Sequence, residues 1–185
     1  MKQASFLPKI DKKLPRAHGG GIHHGKRKGA RPFSPRLPLH VVFRALKAKG
    51  EYSLLRPAHK HFIEIVLARY SKRFHIKIYQ MQNVGNHLHL ILQTKTKSKD
   101  LARLELANFL RRLSGVIAMH ITHAKKGQAF GKFWDELVYT RIVTFGREFN
   151  ILQDYLIKNL FEAHALWNRK KYPDWSLITI RAGVG

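Results

Sequence analysis

The sequence predicts an α+β fold, in which a ferredoxin-like βαββαβ unit forms an antiparallel sheet and a further, C-terminal helix carries Tyr155. Two observations support this prediction. Short β-branched or alternating apolar runs, typical of strands, are interleaved with longer stretches in which apolar residues recur at helical spacing. Their order along the chain is β-α-β-β-α-β-α, and removing the last helix leaves the βαββαβ pattern.

Local patterns predict the bounds of each element. Strands are predicted over 39–46, 75–82, 87–94 and 137–145. Helices are predicted over 57–74, 101–122 and 147–168. The first helix begins with Pro57, a favoured first residue, and the second follows Asp100, a good N-cap. Residues 83–86, "NVGN", have turn chemistry, so the second and third strands should form a hairpin.

Composition divides the chain into a basic arm (1–38), a catalytic domain (39–168) and a basic tail (169–185). The arm holds five of the seven prolines and ten Lys or Arg residues, and it has no helical or strand period. We expect it to be extended and flexible when free. Two roles remain open for it: a solubilising tail, or an arm that lies along DNA phosphates.

The net charge indicates the class of partner. Lys and Arg number 35 against 11 acidic residues, which gives a formal net charge of +24. Such a field attracts polyanions, and nucleic acid is the first candidate. Neither a basic amphipathic helix nor a lipidation signal is found, so no membrane partner is expected. Cysteine is absent, and we expect a cytoplasmic, nucleoid-associated protein of prokaryotic type.

Two histidines interrupt the apolar strand "NHLHLIL". A strand alternates its side chains, so His87 and His89 point to one face and Leu88, Leu90 and Leu92 to the other. Two imidazoles on one face are close enough to share a metal ion. The alternative, a hydrogen-bonded or surface pair of histidines, is equally compatible with this short motif.

The last helix offers further polar groups. Tyr155 and Asn159 are four residues apart and therefore share one helix face, next to the apolar stripe. Lys158 flanks them, and Glu162 lies one turn beyond Lys158. Taken singly, a packed tyrosine and an exposed asparagine are the simpler interpretations.

Taken together, these motifs resemble those of the HUH single-tyrosine transposases, and specifically the REP-associated tyrosine transposase group. The histidine–hydrophobic–histidine pair of that family matches His87, Leu88 and His89, and its Tyr-x-x-x-Asn helix segment matches Tyr155 and Asn159 in "DYLIKNLFEA". "FWDELVYTRIV" is similar to the segment that precedes the tyrosine helix. In many relatives a proline follows the asparagine, whereas Leu160 follows it here. The resemblance covers about residues 38–165.

The resemblance implies a DNA transposase that nicks and rejoins single-stranded or hairpin DNA at repeat ends. Tyr155 would be the nucleophile and would form a 5′-phosphotyrosine link. His87, His89 and the side-chain oxygen of Asn159 would hold Mg²⁺ or Mn²⁺, and Lys158 could stabilise the phenolate or contact DNA. Some members are homodimers that exchange the tyrosine helix and others act as monomers, so both states remain open.

Other basic and aromatic residues are candidates for contacts with DNA. Four arginines are expected to bind phosphates: Arg44, Arg111, Arg112 and Arg141. Four aromatic residues could stack on unpaired bases, or could instead belong to the core: Phe130, Phe133, Trp134 and Tyr139. Two alternative functions are a non-catalytic nucleic-acid-binding protein on the same fold and a nickase of the replication-initiator or relaxase type.

Overall fold

The computed structural model describes residues 16–23, 29–125, 128 and 130–169. The sheet is built from β1 (Ala17–His18), β2 (Leu39–Arg44), β3 (Ile76–Asn83), β4 (His87–Thr94) and β5 (Tyr139–Ile142). The long helices are α1 (Pro57–Arg73), α2 (Lys99–Thr122) and α3 (Arg147–Arg169). Single 3₁₀ turns lie at Gly20–His23 and Gly50–Tyr52.

The sheet has the predicted ferredoxin-like topology. Its strand order is β1-β5-β2-β4-β3, and every neighbouring pair is antiparallel. Without β1, the order places the fourth strand beside the first and the third beside the second, as the βαββαβ motif requires. The predicted hairpin is present as β3 and β4, so the α+β fold class is confirmed.

Helices α1 and α2 cover one face of the sheet. Leu88, Leu90 and Leu92 of β4 are fully buried there, together with Val41 and Phe43 of β2. These side chains and the apolar stripes of α1 and α2 form one continuous cluster, which we call the main core. Burying each such side chain contributes about 1.5–3 kcal/mol, so the main core supplies most of the stability of the domain.

Helix α3 packs on the opposite face, where a second and smaller apolar cluster lies. Because side chains alternate along a strand, Ile91 points away from the leucines and towards α3. It is fully buried against Leu152 and Leu156 of α3 and against Val143. We call these four residues the α3 cluster. It leaves the rest of this face open for polar side chains.

The described part of the predicted basic arm is bound to the sheet rather than extended in solvent. Residues 17–18 form β1 on the edge of β5. The guanidinium of Arg31 donates to the carbonyl of Val138 at 2.9 Å, and Phe33 is 9% exposed in the main core. A two-residue strand has no detectable period, so the sequence pattern could not predict it. Residues 1–15 and 24–28 of the arm, and residues 170–185 of the tail, lie outside the described residues.

The other differences from the predicted bounds are small, and those of β5 and α2 are examples. Strand β5 covers four residues instead of nine, because its pairing with β2 ends at Ile142 and the N–H of Val143 donates to the carbonyl of Pro38. Helix α2 begins at Lys99, two residues before the predicted start. Within the described residues, no helix is long and apolar enough to cross a membrane.

Candidate active site

The β3–β4 turn determines where His87 and His89 stand. Gly85 adopts a φ of +90°, a conformation that side-chain-bearing residues rarely take, and its N–H donates to Oδ1 of Asn83 at 3.0 Å. The N–H of Val84 donates to the carbonyl of His87 at 3.0 Å and closes the turn. Strand β4 therefore begins at His87, and both imidazoles point to the face that carries α3.

The ring of His87 is oriented by the residue before it. Nδ1 of His87 donates to Oδ1 of Asn86 at 2.8 Å, because an amide oxygen can only accept. Nε2 of a neutral His87 therefore carries a free lone pair. Burial is the main cause that lowers the pKa of His87, and the nearby Arg44 cation adds to the effect. The His87 ring is stacked near that of His89, with centroids 5.9 Å apart.

His89 has a partner that the sequence motif did not reveal. Nδ1 of His89 lies 3.2 Å from Nε2 of His40 on β2, a hydrogen bond in which either ring can donate. The two side chains are buried, with 8% and 7% exposed. Burial is the main cause that lowers the pKa of His89 to about 4 and that of His40 to about 3, so both rings are neutral at pH 7.

Helix α3 presents Tyr155 and Asn159 beside these histidines. Leu156, fully buried in the α3 cluster, fixes the rotation of the helix about its axis. Tyr155 precedes it and is 53% exposed, whereas Asn159 lies one turn further and is half-buried. The shared helix face expected from the four-residue spacing is therefore present.

The two pairs line one cleft of about 980 Å³ within a single chain. We call it the histidine cleft, and its polar lining is Lys49, Ser53, Asn86, His87, His89, Tyr155, Asn159 and Glu162. The structure thus brings together the residues predicted as nucleophile and metal ligands, although they are some seventy residues apart in sequence. Their chemical roles stay predictions.

A second cleft, of about 750 Å³, opens on the other side of Tyr155. We call it the arginine cleft, and its lining includes His40, Tyr139, Arg141, Arg147, Ile151 and Tyr155. Tyr155 is the residue that the two clefts share. A polymer chain that passes over the Tyr155 hydroxyl could therefore occupy both.

The predicted phosphate contacts are spread over the molecule. Arg44 is paired with His87 in the β2–β4 register, so its side chain lies on the cleft side of the sheet, where it also forms an ion pair with Asp135 at 3.5 Å. Arg111 and Arg112 are exposed on α2, across the sheet from the histidines. The structure does not bring them to either cleft, and their contact with DNA stays a prediction.

Lys158 is not part of the lining of the histidine cleft. Its side chain is 75% exposed, and its ammonium lies 4.0 Å from the carboxylate of Glu162. An ion pair this exposed is worth little, so Lys158 remains free to move towards a bound phosphate. The structure does not place it beside the hydroxyl of Tyr155 as an activating group.

Arg141 is held by a carboxylate at the start of α3. Its Nη1 donates to Glu148 at 2.6 Å, and Arg16 donates to the other oxygen of Glu148 at 2.7 Å. Burial alone would raise the pKa of Glu148, but hydrogen bonds from Thr144 and Arg16 outweigh it and lower the pKa to about 2. Sequence reasoning missed this junction, which joins β5, α3 and the N-terminal stretch.

The aromatic residues before β5 divide between core and cleft. Phe133 is 4% exposed in the main core, and Trp134 packs against that core while its indole N–H donates to the carbonyl of Ser114 at 2.9 Å. Phe130 also packs on the main core. Tyr139 instead lines the arginine cleft. The core interpretation thus fits three of the four residues, and the base-stacking interpretation fits Tyr139 best.

The chemistry of the donor set fits a divalent metal. Neutral imidazoles are ligands for divalent first-row metal ions, and His87 offers a free lone pair on Nε2. No group of three or more His, Cys, Asp or Glu residues is arranged to hold a metal within the described part of the chain. The amide oxygen of Asn159 lines the same cleft and would be a further donor for a metal ion held by the two histidines.

A profile of the IS200-like transposase family matches residues 34–159, and the chain belongs to this family. It is therefore a transposase, an enzyme that acts on DNA. The family match does not resolve subgroups, so membership of the REP-associated group stays a prediction.

No curated protein matches the sequence. A solved structure of a candidate transposase from Deinococcus radiodurans R1 shares 14% identity, with a TM-score of 0.38, over 72% of this chain and 98% of that one.

Proposed function

We propose that this transposase nicks and rejoins single-stranded or hairpin DNA through a 5′-phosphotyrosine intermediate on Tyr155. The supporting observation is that Tyr155 and Asn159 line the same cleft as His87 and His89 in one chain. A binding protein of the same fold would need neither a paired set of neutral imidazoles nor an exposed tyrosine in the same cleft. The presence of these groups in one cleft therefore favours a catalytic protein over one that only binds nucleic acid.

The covalent step follows from the groups available. The Tyr155 hydroxyl gives up its proton as its oxygen attacks the scissile phosphorus and forms a new P–O bond. The bond to the 3′ oxygen breaks at the same time, and that oxygen takes up a proton, so no net proton is gained or lost. The DNA 5′ end is left on the tyrosine, and the other strand end is a free 3′-OH. Because one phosphodiester replaces another, a later attack by a 3′-OH reverses the step without ATP.

His87, His89 and Asn159 would hold a Mg²⁺ or Mn²⁺ ion in the histidine cleft. When bound, the ion would polarise the scissile phosphate and offset the charge that develops in the transition state. Two imidazole ligands suit Mn²⁺ at least as well as Mg²⁺, which prefers oxygen ligands. The hydrogen bond from His87 to Asn86 keeps Nε2 of that ring unprotonated and directed away from the turn.

The surrounding charge supports a DNA strand on both sides of Tyr155. Arg44 stands beside His87, and Arg147 lines the arginine cleft at the start of α3. Phosphates on either side of the scissile bond would therefore meet cations, while Tyr139 offers an aromatic face to an unpaired base.

A nicking assay tests the proposal. The substrate is a set of synthetic hairpins with single-stranded tails of randomised sequence, incubated with the protein and Mn²⁺. We expect a covalent protein–DNA adduct that is lost in Tyr155→Phe and retained in Tyr70→Phe, which removes a hydroxyl from α1 on the far side of the sheet. Salt-sensitive binding without any adduct would instead favour the non-catalytic alternative.

The metal site is tested separately. We expect His87→Ala to abolish nicking while salt-sensitive DNA binding is retained, because the affinity for DNA comes mainly from phosphate contacts. Nicking that persists in His87→Ala would refute the metal role of this residue, even if Tyr155 proved to be the nucleophile.

A further inference from the structure

His40 is a buried polar side chain that contacts the proposed metal site through His89 without being one of its ligands. It lies on β2, and its register partners are Ile91 on β4 and Arg141 on β5, so it shares the face of the two cleft histidines. Only 7% of it is exposed, and its ring is stacked near that of His89, with centroids 5.5 Å apart. Apolar residues occupy the neighbouring positions of β2, so packing alone does not require an imidazole here.

The hydrogen bond between His40 and His89 is made by a single proton, which belongs to one of the two rings. Nε2 of His40 and Nδ1 of His89 face each other at 3.2 Å, so one nitrogen must be N–H and the other must offer a lone pair. If His89 donates, its Nε2 is unprotonated and can bind a metal ion. If His40 donates, a neutral His89 carries its proton on Nε2 and cannot be a ligand through that atom.

The neighbouring His87 shows which arrangement suits the cleft. Its Nδ1 donates to a neighbouring protein group, Oδ1 of Asn86, and its Nε2 is left free. The same arrangement for His89 requires an acceptor at its Nδ1, and His40 supplies one. Both rings would then have Nδ1 bound to the protein and Nε2 free, the usual state of paired metal-binding histidines.

We propose that His40 is a positioning residue whose Nε2 accepts the Nδ1 proton of His89 and thereby holds His89 in its metal-binding tautomer. The inference rests on the proposed function, because it assigns His40 a task at the same metal site. His40 is not a metal ligand in this scheme, although it also lines the arginine cleft. Removing such an outer partner of a metal-binding histidine lowers metal affinity by roughly 10- to 100-fold.

The tautomer can be observed without metal, DNA or activity. Long-range ¹H–¹⁵N correlation spectra of the full-length, metal-free protein distinguish protonation at Nδ1 from protonation at Nε2 for each histidine. We expect the proton of His89 on Nδ1. A His89 proton on Nε2 in the unsubstituted protein would overturn the proposal, whether or not Tyr155 forms an adduct.

Metal affinity gives the second readout. Mn²⁺ binding is titrated by electron paramagnetic resonance for three His40 variants. We expect His40→Phe and His40→Val to lose roughly 10- to 100-fold in affinity, and His40→Gln, whose amide oxygen can accept, to stay within about threefold of the unsubstituted protein. His120→Phe, on α2 across the sheet, is the matched control and should bind Mn²⁺ normally.

The outcomes separate the two proposals. Weak Mn²⁺ binding in His87→Ala together with normal binding in every folded His40 variant would overturn the role of His40 and leave the metal site intact. Normal Mn²⁺ binding in both His87→Ala and His40→Phe would overturn the metal site and the role of His40 with it. Equal losses in His40→Gln and His40→Phe would show that the acceptor atom is not what matters, and would also overturn the proposal.

Discussion

We expect the α3 cluster to hold α3 on the sheet independently of the main core. Leu156 is fully buried there, packed with Ile91, Val143 and Leu152, while the main core lies on the other side of the sheet. Leu156→Ala therefore removes packing from α3 alone. We expect α3 to detach from the sheet in this variant while α1, α2 and the strands between them stay folded.

The size of the effect follows from the burial of the side chain. Truncating a fully buried leucine to alanine costs roughly 3 kcal/mol, within a range of about 2–5 kcal/mol. If that cost is paid by the local opening of α3, amide hydrogen exchange in α3 should accelerate by about 100-fold, since each 1.4 kcal/mol corresponds to a factor of ten. Hydrogen exchange measured by mass spectrometry, peptide by peptide, reports this directly.

A main-core variant provides the control for this experiment. Leu106 on α2 is 1% exposed in the main core, so Leu106→Ala should accelerate exchange throughout the domain. Leu156→Ala should also reduce nicking far more than DNA binding, because Tyr155 and Asn159 leave the cleft with the helix. Equal acceleration in α2 and α3 after Leu156→Ala would refute the separation of the two clusters.

Three further outcomes are expected. Glu148→Gln should lower the free energy of unfolding by about 1 kcal/mol at pH 7 in urea titrations. Because folding lowers the pKa of Glu148, the stabilisation that this carboxylate provides is complete above about pH 4.5 and should vanish as the pH falls towards 2. Tyr139→Ala should weaken single-stranded DNA binding in fluorescence anisotropy without loss of stability, whereas Phe133→Ala should destabilise the fold by about 3 kcal/mol or more. Arg44→Ala should weaken DNA binding and reduce its salt slope by about one, whereas Arg111→Ala should change the slope less because Arg111 lies across the sheet.

The elements with strong periodic patterns could be predicted from sequence. Strand β4 begins and ends where its apolar run and the preceding turn indicate, and α1 begins at Pro57 as expected. The same patterns placed Tyr155 and Asn159 on one helix face, because helical spacing depends only on local geometry. Their meeting with the strand histidines was expected from the family resemblance and not from any pattern in the chain.

The features that depend on pairing between distant segments could not be predicted. His40 reads as one polar residue in an apolar strand, and its contact with His89 arises only from the β2–β4 register. Arg141 reads as a free cation, yet it is bound by Glu148 through the packing of α3 on β5. Strand β1 has only two residues and no pattern of its own. In each case the partner is set by the tertiary fold, which local composition does not encode.

Mapping the site of the covalent adduct tests the central claim most directly. The protein is incubated with the hairpin set and Mn²⁺, digested with trypsin and nuclease, and analysed by tandem mass spectrometry. A nucleotide bound through phosphate to Tyr155, and lost in Tyr155→Phe, is the predicted result. Strand cleavage with no adduct, or with an adduct on another residue, would contradict the assignment of Tyr155 as the nucleophile.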